Sequence, residues 1–76
     1  MKQLKDYIEQ ISDDFHSTFK LVNDNQMMNM MDTSDHEYLT DIIKNYLGQE
    51  TVVSYTKTNE LDDAYDIYIV TVGVLC

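Results

Sequence analysis

The chain is predicted to adopt an α+β fold, with two amphipathic helices packed on a small antiparallel β-sheet that ends in a C-terminal hairpin. Three observations carry this. Apolar residues recur at steps of three and four in two separate segments, and from Thr51 onward the composition turns to alternating β-branched and aromatic residues. No proline, low-complexity stretch or internal repeat marks a boundary, so residues 1–76 are expected to form a single domain with one small core.

In the first segment Leu4, Tyr7, Ile8, Ile11, Phe15 and Phe19 form one stripe, while Lys2, Lys5, Asp6, Glu9, Gln10, Asp13 and Asp14 take the other faces. This predicts a helix to about residue 16. Residues 17–22 either extend it or form a short strand with Phe19 and Leu21 on one face, and a strand or extended stretch is the favoured reading. Asn23, Asp24 and Asn25 bond readily to their own backbone and predict a turn. The methionines at 27, 28, 30 and 31 suit a core or an adaptable contact surface, and four in five positions cannot all face one way.

Ser34 and Glu37 match capping-box spacing, so a second helix is expected from near Asp35, with Tyr38, Leu39, Ile42, Ile43, Tyr46 and Leu47 as its stripe. Gly48 is placed to end it in a left-handed conformation. Val53, Tyr55 and Lys57 alternate with Val52, Ser54 and Thr56 in a half-buried strand, and residues 58–63 read as its connecting loop. The last strand, from Tyr65 through Leu75, alternates Tyr65, Ile67, Ile69 and Thr71 against Asp66, Tyr68, Val70 and Val72. Apolar on both faces from Ile67, it needs cover on both, from two sandwiching helices or from a second copy pairing with it as a homodimer.

The formal net charge is -9, with five lysines, no arginine and fourteen carboxylates. Ten of those carboxylates lie beyond residue 22, opposed there by Lys44 and Lys57 alone. Such a field disfavours direct nucleic-acid binding, which rests on neutralising phosphates, and disfavours anionic membrane surfaces. A basic partner is expected. The N-terminal MKQLKDYIEQ interleaves charged and apolar residues and predicts no signal peptide, no apolar run reaches membrane-spanning length, and the lone Cys76 suits a reducing compartment. A cytoplasmic location is therefore expected.

No catalytic constellation or glycine-rich loop is present, and the protein is expected not to be an enzyme and to need no cofactor. Neither acidic stretch meets the calcium-loop pattern, and His16 and His36, twenty positions apart, do not form a metal-ligand spacing. His16 is expected to pair with Asp13 on the helix. The acids cluster at Asp13 with Asp14, at Asp32, Asp35 and Glu37, and at Glu60, Asp62, Asp63 and Asp66. On one face they would imitate a phosphate row; otherwise they are separately solvated. Tyr68, sharing a face with Asp66, is the tyrosine best suited to an interface.

In size, in its deficit of basic residues and in its clustered acid, the chain resembles the small acidic inhibitors that phages direct against host defence, of the anti-CRISPR and anti-restriction type. The resemblance implies a protein acting in the host cytoplasm that occupies a basic nucleic-acid-binding groove of a defence complex. From the acid clusters, Glu60, Asp62, Asp63, Asp66 and Tyr68 are the expected main contact, with Asp32, Asp35 and Glu37 as a second patch. The alternative is a self-associating structural or regulatory module without inhibitory activity.

Overall fold

The computed structural model describes residues 2–60 and 66–74. Helix α1 (Leu4–Phe15) leads into strands β1 (Lys20–Asn23) and β2 (Gln26–Met31), a single 3-10 turn (Thr33–Asp35), helix α2 (His36–Leu47), and strands β3 (Thr51–Glu60) and β4 (Asp66–Val74). The four strands form one antiparallel sheet in the order β1-β2-β4-β3. The α+β class and the terminal β3–β4 hairpin are as the sequence predicts.

Residues 20–31 form a first hairpin whose two-residue turn is Asp24-Asn25. The Asn23 side chain accepts a hydrogen bond from the Asn25 backbone N–H at 3.0 Å, the local bonding expected of this triplet. The turn is anchored to the first turn of α1 and to β4: the Asp24 carbonyl accepts from Lys5 N–H and the Asn25 carbonyl from Val72 N–H. In β2 the methionines divide by period two. Met27 and Met31 are buried, whereas Met30 is 57% exposed on the opposite face.

A single core lies between the sheet and the helices. Leu4 and Ile11 of α1 and Leu39, Ile42, Ile43 and Leu47 of α2 pack on Phe19, Met27, Met31, Tyr68, Val70 and Val72. Because the buried residues of β2 and β4 all belong to one alternating set, both helices cover the same side of the sheet. The helices do not sandwich the last strand, and β4 is flanked on both edges by β2 and β3, so a second copy could cover it only from the open face of the sheet and not by pairing along an edge. Strand β3 also runs further than expected, through Thr58 to Glu60, with a register irregularity between Lys57 and Asn59.

The helices meet along aromatic contacts, Tyr7 with Tyr46 at 5.7 Å and Phe15 with Tyr38 at 5.8 Å between ring centroids. Asp14 joins them: its carboxylate accepts from the Tyr46 hydroxyl at 2.6 Å and its carbonyl from the Tyr38 hydroxyl at 3.1 Å. That hydrogen bond to a carboxylate raises the Tyr46 pKa, since it favours the protonated phenol.

Two backbone positions close the helices. His16 takes φ 60° and ψ 36°, and paired bonds from His16 N–H to the Asp13 carbonyl and from Ser17 N–H to the Ser12 carbonyl complete a Schellman motif. Its role is thus to end α1, and among the described residues it has no ion pair with Asp13. Gly48 ends α2 at φ 114° and ψ 151°, a region open essentially to glycine alone.

Gly48→Ala should destabilise the fold by about 1–3 kcal/mol, chiefly through backbone strain, because the atom nearest the added methyl is the movable Glu50 carboxylate. His16→Gly should stabilise it by about 1 kcal/mol by relieving the left-handed penalty. Urea denaturation of the two variants measures both, and equal midpoints would contradict the backbone argument.

Candidate functional site

Strand register brings the described members of two of the three acidic clusters to one end of the fold. Met31, the last residue of β2, lies opposite Asp66, the first of β4, and Glu60, the last of β3, lies opposite Asp66 from the other side. The chain leaves β2 directly into Asp32 and the 3-10 turn, and α2 begins there. Asp32, Asp35, Glu37, Asp66 and the backbone of Glu60 therefore occupy one end of the fold. Asp62 and Asp63 lie outside the described residues.

These acids are not equally free. The capping box forms two residues before the expected Ser34 and Glu37 pair: the Asp32 side chain accepts from Ser34 N–H at 3.3 Å, and Asp35 accepts from Asp32 N–H at 3.2 Å. The 3-10 turn tightens the chain so that Asp32 caps it, and Glu37 is released to the exposed first turn of α2. Asp66, with its side chain 18% exposed, pairs with Lys57 at 3.6 Å.

Tyr68 requires a correction, because it is only 7% exposed. Sequence alternation puts it on the same face as Asp66, as expected, but that face is the one the helices cover. Its hydroxyl bonds to the Thr33 hydroxyl at 3.0 Å and its ring meets His36 edge-on at 4.4 Å. It supports the acidic end from beneath and offers no contact area.

His36 is the residue that sequence reasoning passed over. Its ring stacks flat on Tyr55, with centroids 4.0 Å apart and planes within 6°. The Tyr55 hydroxyl donates to the His36 carbonyl at 2.8 Å, which commits its one proton, so the Thr40 hydroxyl at 2.7 Å must donate to Tyr55. Burial raises the Tyr55 pKa against that donated bond, with Asp41 adding to the rise. The Nε2 of His36 is buried and has no hydrogen-bond partner among the described residues. Protonation there would bury an N–H that has no acceptor. Accordingly, desolvation lowers the His36 pKa below the ordinary 6.5, although Asp35 and Asp32 pull it upward.

A second acidic surface lies on α1. Asp6, Glu9 and Asp13 are exposed at spacings of three and four, so they form one stripe spanning about 10 Å. Glu9 and Asp13 border a groove of about 330 Å³ whose other walls are Ile8, Ser12, Thr18 and Phe19. The helical period already contained this stripe, but it reads there simply as a solvated face.

The open face of the sheet has the opposite character. It carries Met28 and Met30 of β2, Ile67, Ile69, Thr71 and Gly73 of β4, and Val52, Ser54 and Thr56 of β3. None of the acids whose side chains are described belongs to this face. Among the described residues, no group of His, Cys, Asp or Glu side chains is arranged to hold a metal ion, and no helix is long and apolar enough to cross a membrane.

Because the His36 pKa is lower in the folded than in the unfolded chain, its neutral ring contributes stability fully above about pH 6.5 and loses it as pH falls toward the folded value. His36→Phe keeps an aromatic ring and removes the titration. Between pH 7.5 and 5.5 the native chain should lose melting temperature relative to this variant, whereas parallel profiles would show that His36 is not held neutral by its surroundings. Compared with protein families, with curated proteins and with solved structures, the chain has no match.

Proposed function

We propose that this protein is a small acidic inhibitor that binds the basic nucleic-acid-binding groove of a defence complex, as phage anti-CRISPR and anti-restriction proteins do. The observation that carries the reading is the segregation of charge. Carboxylates distant in sequence, Asp32, Glu37 and Asp66, share one end of the fold, and Asp6, Glu9 and Asp13 line the helical layer. The α1 acids follow one another at roughly 5 Å along the helix, against about 3.4 Å for successive phosphates along one DNA strand. This density suits competition for a cationic groove without reproducing a duplex.

The binding is electrostatic in its approach and local in its anchoring. The summed negative field steers the chain to a basic surface. At the α1 groove, Ile8 and Phe19 offer an apolar bed for the aliphatic stem of a lysine or arginine, while Glu9 and Asp13 meet its charged head. Glu37 supplies an exposed contact at the acidic end, and Asp32 and Asp35 hold the backbone there rather than meeting the partner first.

The test is a pull-down from bacterial lysate with the native chain and with Glu9→Gln/Asp13→Asn/Glu37→Gln. The native chain should capture a nucleic-acid-binding complex at 0.15 M salt and lose it near 1 M, where screening shortens to about 3 Å. The amide variant should lose at least about tenfold of the capture, since such a groove contact to a charged head is worth roughly 1.5–3 kcal/mol. Capture that ignores both salt and these acids would overturn the reading.

A further inference from the structure

We propose that the open face of the β-sheet is a self-association surface, through which two copies of this chain pack sheet against sheet. Its apolar centre is built from cross-strand neighbours, Met28 opposite Ile69 and Met30 opposite Ile67, with Val52 nearby opposite Gly73. Met30 is 57% and Val52 41% exposed, and none of the other described elements covers this side. Gln26, Thr71, Ser54 and Thr56 surround the centre with neutral polar groups. Gln26 already bonds to Thr71 at 3.0 Å, so that part of the rim would be buried with its hydrogen bond satisfied.

Charge identifies the occupant. Two chains of net charge -9 repel one another in almost every orientation. Face-to-face packing of the sheets is the exception, because no described acid belongs to this surface and the helical acids of both copies then point outward. The spacing of packed sheets alone, about 10 Å, exceeds the screening length of about 8 Å at physiological ionic strength. A basic partner is instead drawn to the helical layer and the acidic end. Lys20, opposite Met28 on the short edge strand β1, is the charge on the rim of this face.

The size of the face sets the strength. Four strands about 4.8 Å apart and six residues long give a footprint near 400 Å², below the roughly 800 Å² per partner of a standard stable interface. The dimer is therefore concentration-dependent, and its two-fold symmetry makes each copy contribute the same residues. It leaves the α1 groove and the acidic end open, so it does not depend on the inhibitory reading.

The deciding measurement is solution mass by sedimentation equilibrium from micromolar to millimolar protein, at 0.15 M and 0.5 M salt. The native chain should move toward twice its monomer mass, and added salt should hold or strengthen the association. Met30→Glu/Gly73→Glu should weaken it by at least about tenfold while keeping the native melting profile, because Met30 is exposed and a side chain at Gly73 meets nothing within 4 Å. Val52→Lys provides a second, independent disruption with the same expected loss. A monomer at every concentration, or a dimer untouched by these variants, would overturn the proposal. Continued salt-sensitive capture of a partner by the monomeric variants would separate this surface from the acidic one.

Discussion

Strand β4 is the constraint on which the rest depends, because it is central in the sheet and apolar on both faces while the described residues supply one layer of helix. Tyr68, Val70 and Val72 take the covered side, and Ile67, Ile69 and Thr71 are left on the other. Each helix has twelve residues and a single apolar stripe, and the two also pack against each other through Tyr7, Tyr46, Phe15 and Tyr38. Splitting them to cover both faces would forfeit that contact and expose half of the Leu4, Ile11, Leu39 and Ile43 cluster. One-sided packing keeps a single core of the size this chain can fill.

The same asymmetry sorts the charge. Carboxylates need water or a partner, so they collect on the outer faces of the helices and in the turns that join the helices to the sheet. Where they approach the core, each is held. Asp14 accepts from Tyr46, Asp32 and Asp35 bond reciprocally across the 3-10 turn, and Asp66 meets Lys57. His36 lies among these groups as a neutral aromatic plate between Tyr55 and Tyr68, closing the junction of β2, α2 and the hairpin by ring packing rather than by charge.

The elements that were legible in the sequence are those whose information is local. Helix α2 announces itself by its stripe and by Gly48, and β3 and β4 by period-two alternation. Residues 20–31 were legible only in part: a strand or extended stretch before Asn23 and a turn at Asn23, Asp24 and Asn25 could be read, but β2 could not, because it consists mainly of methionine, which favours no strand by itself. Alternation rightly grouped Tyr68 with Asp66 but could not say which face the helices would choose, and so a buried anchor read as a contact. Ser34 with Glu37 and Asp32 with Asp35 have the same spacing; only the 3-10 geometry decides between them. The placing of Asp32 at the same end of the sheet as Asp66 is a product of β2–β4 register, to which no short-range pattern points.

The strand order has a bearing on how the domain assembles. β1 with β2 and β3 with β4 are each neighbours in sequence, whereas β2 with β4 joins residues as far apart as Gln26 and Thr71, 45 positions distant. Two hairpins can therefore form with short loop closures, but their union must wait for a long one, with α2 lying in the loop that is closed. That union is a seam, with Met27 and Met31 on one side and Tyr68 and Val70 on the other, and the helices rest across it. The first hairpin and the second are the natural units of partial opening, and the seam between them is where cooperative unfolding of the sheet would begin.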